Sequence, residues 1–131
     1  MIGLDTNVLI RHVTQDDPVR SPRATALIER RLTENNPGYI SVVALVETAW
    51  VLDRAYRYSD AEIAAVIERV IQTATFVVEN EVEVFAAMTA LKEGRASFAD
   101  ALIGALGTKA GCSVTVTFDQ RAARLPGFEL A

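Results

Sequence analysis

The chain is poor in the residue types that build many small sites. Across 131 residues it has one cysteine, Cys112, and one histidine, His12. A lone cysteine excludes an internal disulfide framework, and a single thiol suits a reducing, cytoplasmic setting. One histidine and one cysteine cannot hold a zinc ion by themselves. A Ser–His–Asp arrangement has only His12 to draw on, and His12 reads as a surface or packing residue. No run of about 18 uncharged apolar residues occurs, so a transmembrane helix is not expected. No basic stretch leads into an apolar one at the start, so a signal peptide is not expected either. Basic residues are outnumbered, 13 against 17 acids, for a net charge of −4. Taken alone, that balance argues against a general nucleic-acid binder.

What the chain does have is apolar residues, half of its length, enough for the core of one domain spanning residues 1–131. Helical and strand patterns alternate without linker, repeat or low-complexity segment. The expected class is α/β: a three-layer α/β/α domain with a central, mostly parallel sheet of four to five strands. "MIGL", "YIS", "TFVV", "SVTVTF" and "FEL" read as the strands. "TNVLIRHV" reads as a short helix. "SPRATALIERRL" starts a second, with Ser21 as N-cap and Pro22 at the first helical position. "VVALVETAWVLDRAY" is a helix apolar nearly all round. "SDAEIAAVIERVIQ" has Ser59 and Glu62 in capping-box spacing. "NEVEVFAAMTALKEG" runs from Asn80 as N-cap to Gly94 as C-cap. "SFADALIGALGTKAG" is the last helix, and Gly104, Gly107 and Gly111 give it a small-residue stripe for close packing.

Four acids lie in apolar surroundings. Asp5 ends the first strand, where an Asp also serves as a helix cap. Glu47 has Val43, Ala44, Trp50 and Val51 as helical neighbours. None can pair with it, so it finds a distant partner, reaches the helix edge, or belongs to a site. Asp100 stands in capping-box spacing from Ser97. Asp119 follows "VTVTF" as a cap or turn residue. Each has a structural reading, but their placement is consistent. Sites in parallel α/β sheets form at the carboxyl ends of strands. Asp5 and Asp119 end two strands, and Asp100 and Glu47 lie in the first and second turns of helices. Four carboxylates in one crevice repel, and a hard divalent cation removes the conflict. Oxygen-only ligands favour Mg²⁺ or Mn²⁺, and two such ions roughly 4 Å apart serve in-line displacement at phosphorus.

The charge objection then changes. Setting these four acids aside leaves 13 acidic residues against 13 basic ones. Arg11, Lys92, Arg95, Arg121 and Arg124 lie close in sequence to the proposed site and are candidates for holding a phosphate backbone, or part of a solvated mixed-sign surface. Val13, Leu52 and Tyr56 serve equally as a partner groove or as core.

With those residues in view, the sequence resembles the PIN-domain family, in particular the VapC-like ribonuclease toxins of prokaryotic toxin–antitoxin pairs. Four blocks carry the likeness in order: "IGLDTNVLIR", "ISVVALVETAWVL", "SFADALIGALG" and "VTFDQRAARLPGFEL". The resemblance implies a Mg²⁺-dependent endoribonuclease (Mn²⁺ possible) acting on single-stranded or loop RNA, with tRNA or rRNA as targets. It implies that Asp5, Glu47, Asp100 and Asp119 hold one or two metals and that metal-activated water attacks the phosphodiester. Thr117 would hydrogen-bond a site acid or water, and Thr6 and Asn7 would shape the surroundings. Arg11, Arg95 and Arg121 would contact RNA. A cognate antitoxin and a second copy of the chain would be the protein partners, in the cytoplasm. Two rivals make different demands. Aspartate-based phosphatases want a second Asp two residues after the first, where Asn7 stands, and receiver domains want a Lys after a late strand, where none follows Thr117. A non-catalytic interaction module would use the acids only as caps.

Overall fold

The structure is a computed structural model describing residues 1–131. In chain order it runs β1 (Ile2–Gly3), α1 (Thr6–Thr14), α2 (Arg20–Ala26), β2 (Gly38–Ile40), α3 (Val42–Arg54) and α4 (Asp60–Gln72). Then follow β3 (Phe76–Val78), α5 (Glu81–Lys92), α6 (Phe98–Ala110), β4 (Thr115–Thr117) and β5 (Phe128–Leu130). The α/β class holds, and all five expected strands are present and parallel. Their hydrogen bonds form two ladders, β1–β2–β3 and β4–β5, rather than one continuous sheet. At two residues, β1 offers few backbone groups to a further neighbour.

The core is built where the periodicity is strongest. Leu9, Ile10, Ile40, Leu45, Leu52, Ile67 and Leu102 are all buried to within 2 %. Leu52 therefore belongs to the core, Val13 and Tyr56 pack half-buried against it, and Val13 also lines a cavity of about 220 Å³. Gly38 admits the close approach of Leu32 and Leu4, because a Cβ there would stand 2.8 and 2.9 Å from their methyls. The Ser59–Glu62 capping box forms in full at the start of α4.

Two caps differ from expectation. Helix α2 begins at Arg20 with Val19 in the N-cap position, and Asp17, two residues earlier, closes the entry turn, its Oδ1 accepting from the amides of Val19 (2.9 Å) and Arg20 (2.7 Å). Ser21 instead is buried inside the first turn and accepts from the Asp17 amide. Pro22 is therefore the third helical residue rather than the first, and it is accommodated because first-turn amides have no intrahelical acceptor to lose. The helix then widens into a π-helical turn over Leu27–Arg31. At α5, Asn80 is in the left-handed region and its side chain caps nothing. Its Oδ1 accepts from Lys109 Nζ at 2.7 Å, which pins the start of α5 to the end of α6. Gly94, at φ +71°, follows the C-cap Glu93 and turns the chain toward α6.

The small stripe of α6 fixes the direction of that helix. A Cβ on Gly104 would run into the Phe128 ring, and one on Gly107 would come within 2.9 Å of Thr115 Oγ1. Phe128 and Thr115 are the first residues of β5 and β4. The later turns of α6 thus cover the strand starts, and its N-terminus points toward the strand ends.

Candidate active site

The carboxyl edge of the sheet collects acids because each strand hands over to a turn or helix there. Asp5 lies just past β1 and occupies the N-cap position of α1 in extended conformation, yet its carboxylate makes no capping bond. Val8 and Leu9 bond to the Asp5 carbonyl instead. The side chain is exposed, with no ion-pair partner.

Helix α3 leaves the end of β2 with Ser41 as its cap, Oγ accepting from Ala44 at 3.1 Å. Glu47 lies in its second turn. The apolar pattern of α3 suggested full burial, but Glu47 is exposed, as are Val43 and Trp50 on the same helix. No desolvation penalty forces a partner on it, and it has none. The helix is apolar all round because one apolar face is left open to solvent.

Ser97 caps α6 as expected, accepting from the Asp100 amide at 3.1 Å. The reciprocal bond of a capping box is missing, so the half-buried Asp100 carboxylate is free. Asp119 is partly engaged. Its Oδ1 accepts from Ala122 at 2.8 Å and opens a short 3₁₀ turn over Ala122–Arg124. Thr117 Oγ1 accepts from the Asp119 amide at 3.0 Å, so Thr117 orders the Asp119 backbone rather than its carboxylate. Thr6 is buried below α1 and shows no bond to any of the acids.

Two grooves lie along α3, between it and α6. One, of about 470 Å³ between α3 and α6, is lined by Glu47 and by Ala99, the neighbour of Asp100. The next, of about 330 Å³, brings Trp50 together with Ser97, Ala99 and Arg121, two residues beyond Asp119. Glu47 lines the first groove, whereas Asp100 and Asp119 line neither and approach them only through their chain neighbours Ala99 and Arg121. Asn7 opens on a different, basic groove with Arg11, Arg20 and Arg23.

No three acidic, histidine or cysteine side chains close on a common point. Like charge keeps carboxylates apart when no cation of the protein lies between them. The donor set nonetheless fits a hard cation. Asp5, Glu47 and Asp100 have uncommitted carboxylates, and Asp119 keeps one free oxygen. Mg²⁺ in particular is usually held by one or two carboxylates and retains several waters.

The candidate basic residues divide. Arg11 is bound by Asp16, with Nη1 3.0 Å from both carboxylate oxygens and 3.1 Å from the Tyr56 hydroxyl. This network ties the end of α1 to the end of α3, and Arg11 also lines the groove with Arg20 and Arg23. The Tyr56 hydroxyl, then Thr14 and Arg11, hold the Asp16 carboxyl far below the usual aspartate range. Arg121 donates to the Gly94 carbonyl at 2.9 Å, and Arg95 lies 3.4 Å from Glu93. Sequence reasoning passed over Asp16, which looked like an ordinary loop acid. It also passed over Glu79, a fifth acid at this edge, whose Oε1 accepts from the Val42 amide at 2.9 Å and caps α3. Arg20 and Arg23 were likewise hidden until α2 was placed against α1. His12 is a packing residue, its Nδ1 3.0 Å from Thr25 Oγ1.

Uncommitted acids thus stand at the carboxyl edge of parallel strands. The comparison with protein families is more specific: the chain matches the PIN domain over residues 2–127, and it belongs to that family. PIN domains are generally metal-dependent nucleases. Among individually curated proteins, none matches the chain significantly.

Proposed function

We propose that this chain is a Mg²⁺-dependent endoribonuclease and the toxin of a toxin–antitoxin pair, cutting tRNA or rRNA in unpaired regions. The observation that carries the reading is Asp5. It holds the N-cap position of α1 just past β1, and its exposed carboxylate is left unused by the fold. Asp5, Glu47 and Asp100 would hold the cation, with the free oxygen of Asp119. When bound, Mg²⁺ or Mn²⁺ supplies Lewis-acid polarisation of the phosphodiester and of the attacking water.

The chain itself does the positioning. Ser97 and Ser41 fix the first turns of α6 and α3, and so the heights of Asp100 and Glu47. Thr117 fixes the turn that carries Asp119. The first amides of α1 have no intrahelical acceptor and favour an anionic phosphate beside Asp5. Arg20 and Arg23, flanking Asn7, are the best placed side chains to hold the phosphate backbone there. The same reading gives the chain a cognate antitoxin and a second copy of itself as partners.

The test is induced expression followed by mapping of new RNA 5′ ends, with Asp5→Asn as control. Growth arrest with discrete new ends in tRNA or rRNA, absent in Asp5→Asn, is the expected result. Unchanged RNA in arrested cells would refute the ribonuclease reading.

A further inference from the structure

The amino edge of the sheet, opposite Asp5, carries a cavity of its own. It measures about 220 Å³ and lies where α1 and α4 end and β3 begins. Five of its eight lining residues are apolar, Val66, Val70 and Phe76 among them, and the other three are His12, Arg69 and Thr73. No acid lines it. Ile28 reaches its wall from the π-helical turn over Leu27–Arg31. Such turns are rare and occur frequently at functional sites.

Both helices end here, and helix ends expose carbonyls that attract cations. In this cavity those carbonyls are already served by other donors. Thr14 donates to the Ile10 carbonyl, the Gln15 side chain to that of His12, and Thr73 to that of Arg69. The Arg69 guanidinium is exposed and in no ion pair. His12 is held through Nδ1 alone. Thr25 Oγ1 accepts from Gln15 Nε2 at 2.9 Å, and the only acceptor that its own hydrogen meets is His12 Nδ1 at 3.0 Å. The imidazole proton therefore sits on Nε2, which has no partner. Burial above all holds the imidazole below its ordinary value, and so neutral at pH 7. Arg69 acts in the same direction, and the exposed Glu29 against both.

We infer that this cavity binds a small aliphatic monocarboxylate, its chain against Val66, Val70 and Phe76 and its carboxylate on Arg69 and His12 Nε2. Two unpartnered donors call for an acceptor, and one guanidinium beside a neutral imidazole balances a single negative charge. A dianionic phosphate would leave charge unpaired against apolar walls. Size narrows the class. Drug-sized ligands occupy pockets of about 300–1,000 Å³. At about 30 Å³ per water-sized group, this cavity holds roughly seven heavy atoms, the size of pentanoate. His12 lies about 10 Å along α1 from Asp5, at 1.5 Å per residue, so the cavity is separate from the candidate active site.

His12 is the only histidine, so its imidazole NMR signals read this cavity directly. The experiment titrates the full chain with pentanoate, acetate and pentanol, at constant ionic strength and about pH 7.5, above the ordinary imidazole value. Pentanoate should shift the Nε2 signal saturably, with a Kd of roughly 1 mM for so small a ligand, and the other two should bind at least roughly tenfold more weakly. Arg69 is exposed, so Arg69→Gln keeps the fold. It should weaken pentanoate binding roughly tenfold or more, and Arg69→Lys should restore part of the loss. Acetate acting as well as pentanoate would overturn the proposal, because the apolar walls would then play no part. Pentanol acting as well as pentanoate would overturn the carboxylate on Arg69. A signal that ignores all three, or that shifts with protein concentration alone, would overturn the site itself. Each readout is independent of RNA cleavage.

Discussion

The Asp5 carboxylate sits where a helix cap should be and caps nothing, which separates a site residue from a structural one. Replacing it therefore removes little from the fold. Asp5→Asn and Asp100→Asn should keep the native circular dichroism spectrum and lower cleavage by more than roughly 100-fold, the upper end of what outer-shell partners of a metal cost. Thr117→Val should fall within that outer-shell range, about 10–100-fold, because it acts through the Asp119 backbone. Asp16 behaves oppositely. Its carboxyl is depressed by Tyr56, Thr14 and Arg11, so its stabilising contribution is present above the ordinary aspartate value and lost as pH falls toward the folded one. Asp16→Asn should therefore lower Tm at pH 7, and the gap to wild type should narrow as pH drops below about 4. An equal gap at all pH values would contradict the network. These two kinds of acid were not separable in the sequence. Asp5 and Asp119 could be located by the strands they end, whereas Asp16 depends on Tyr56, forty residues away.

Among the elements, strands and helices were legible because each has a strong period or an unambiguous cap. The Ser59–Glu62 box and the Ser97 cap need only local chemistry, and both form. The cap at Ser21 was misread because Asp17 closes that turn instead, and Asn80 holds its expected N-cap position but gives its side chain to Lys109. Helix α3 was misread for a related reason. An apolar circumference signals burial only if every face meets another element, and its Val43–Trp50 face meets none. Helix α6 offers the sharpest element-scale prediction. Gly104→Ala gains up to about 1 kcal/mol of helix propensity, but its methyl enters the Phe128 ring. Overpacking of that kind costs about 1–3 kcal/mol, so net destabilisation by chemical denaturation is expected. Gly104→Ala with Phe128→Leu should recover most of it.

Over the whole molecule, the acidic balance and the nucleic-acid reading are reconciled by where the charge lies. The excess sits with acids that pair with no base of the chain, while Arg20 and Arg23 line a groove beside α1. No helix is long and apolar enough to cross a membrane. Binding of a cation only by the folded state should stabilise it, by about 2.7 kcal/mol at a hundredfold excess over Kd. Mg²⁺ should thus raise the Tm of the wild-type protein and leave that of the Asp5→Asn, Asp100→Asn double variant nearly unchanged. EDTA should cancel the rise. The most direct measurement is cleavage of a single-stranded RNA by the purified protein, with Mg²⁺, with EDTA, and with Asp5→Asn. The account predicts discrete products in the first case and intact RNA in the other two. Cleavage that survives both EDTA and the loss of the Asp5 carboxylate would contradict it.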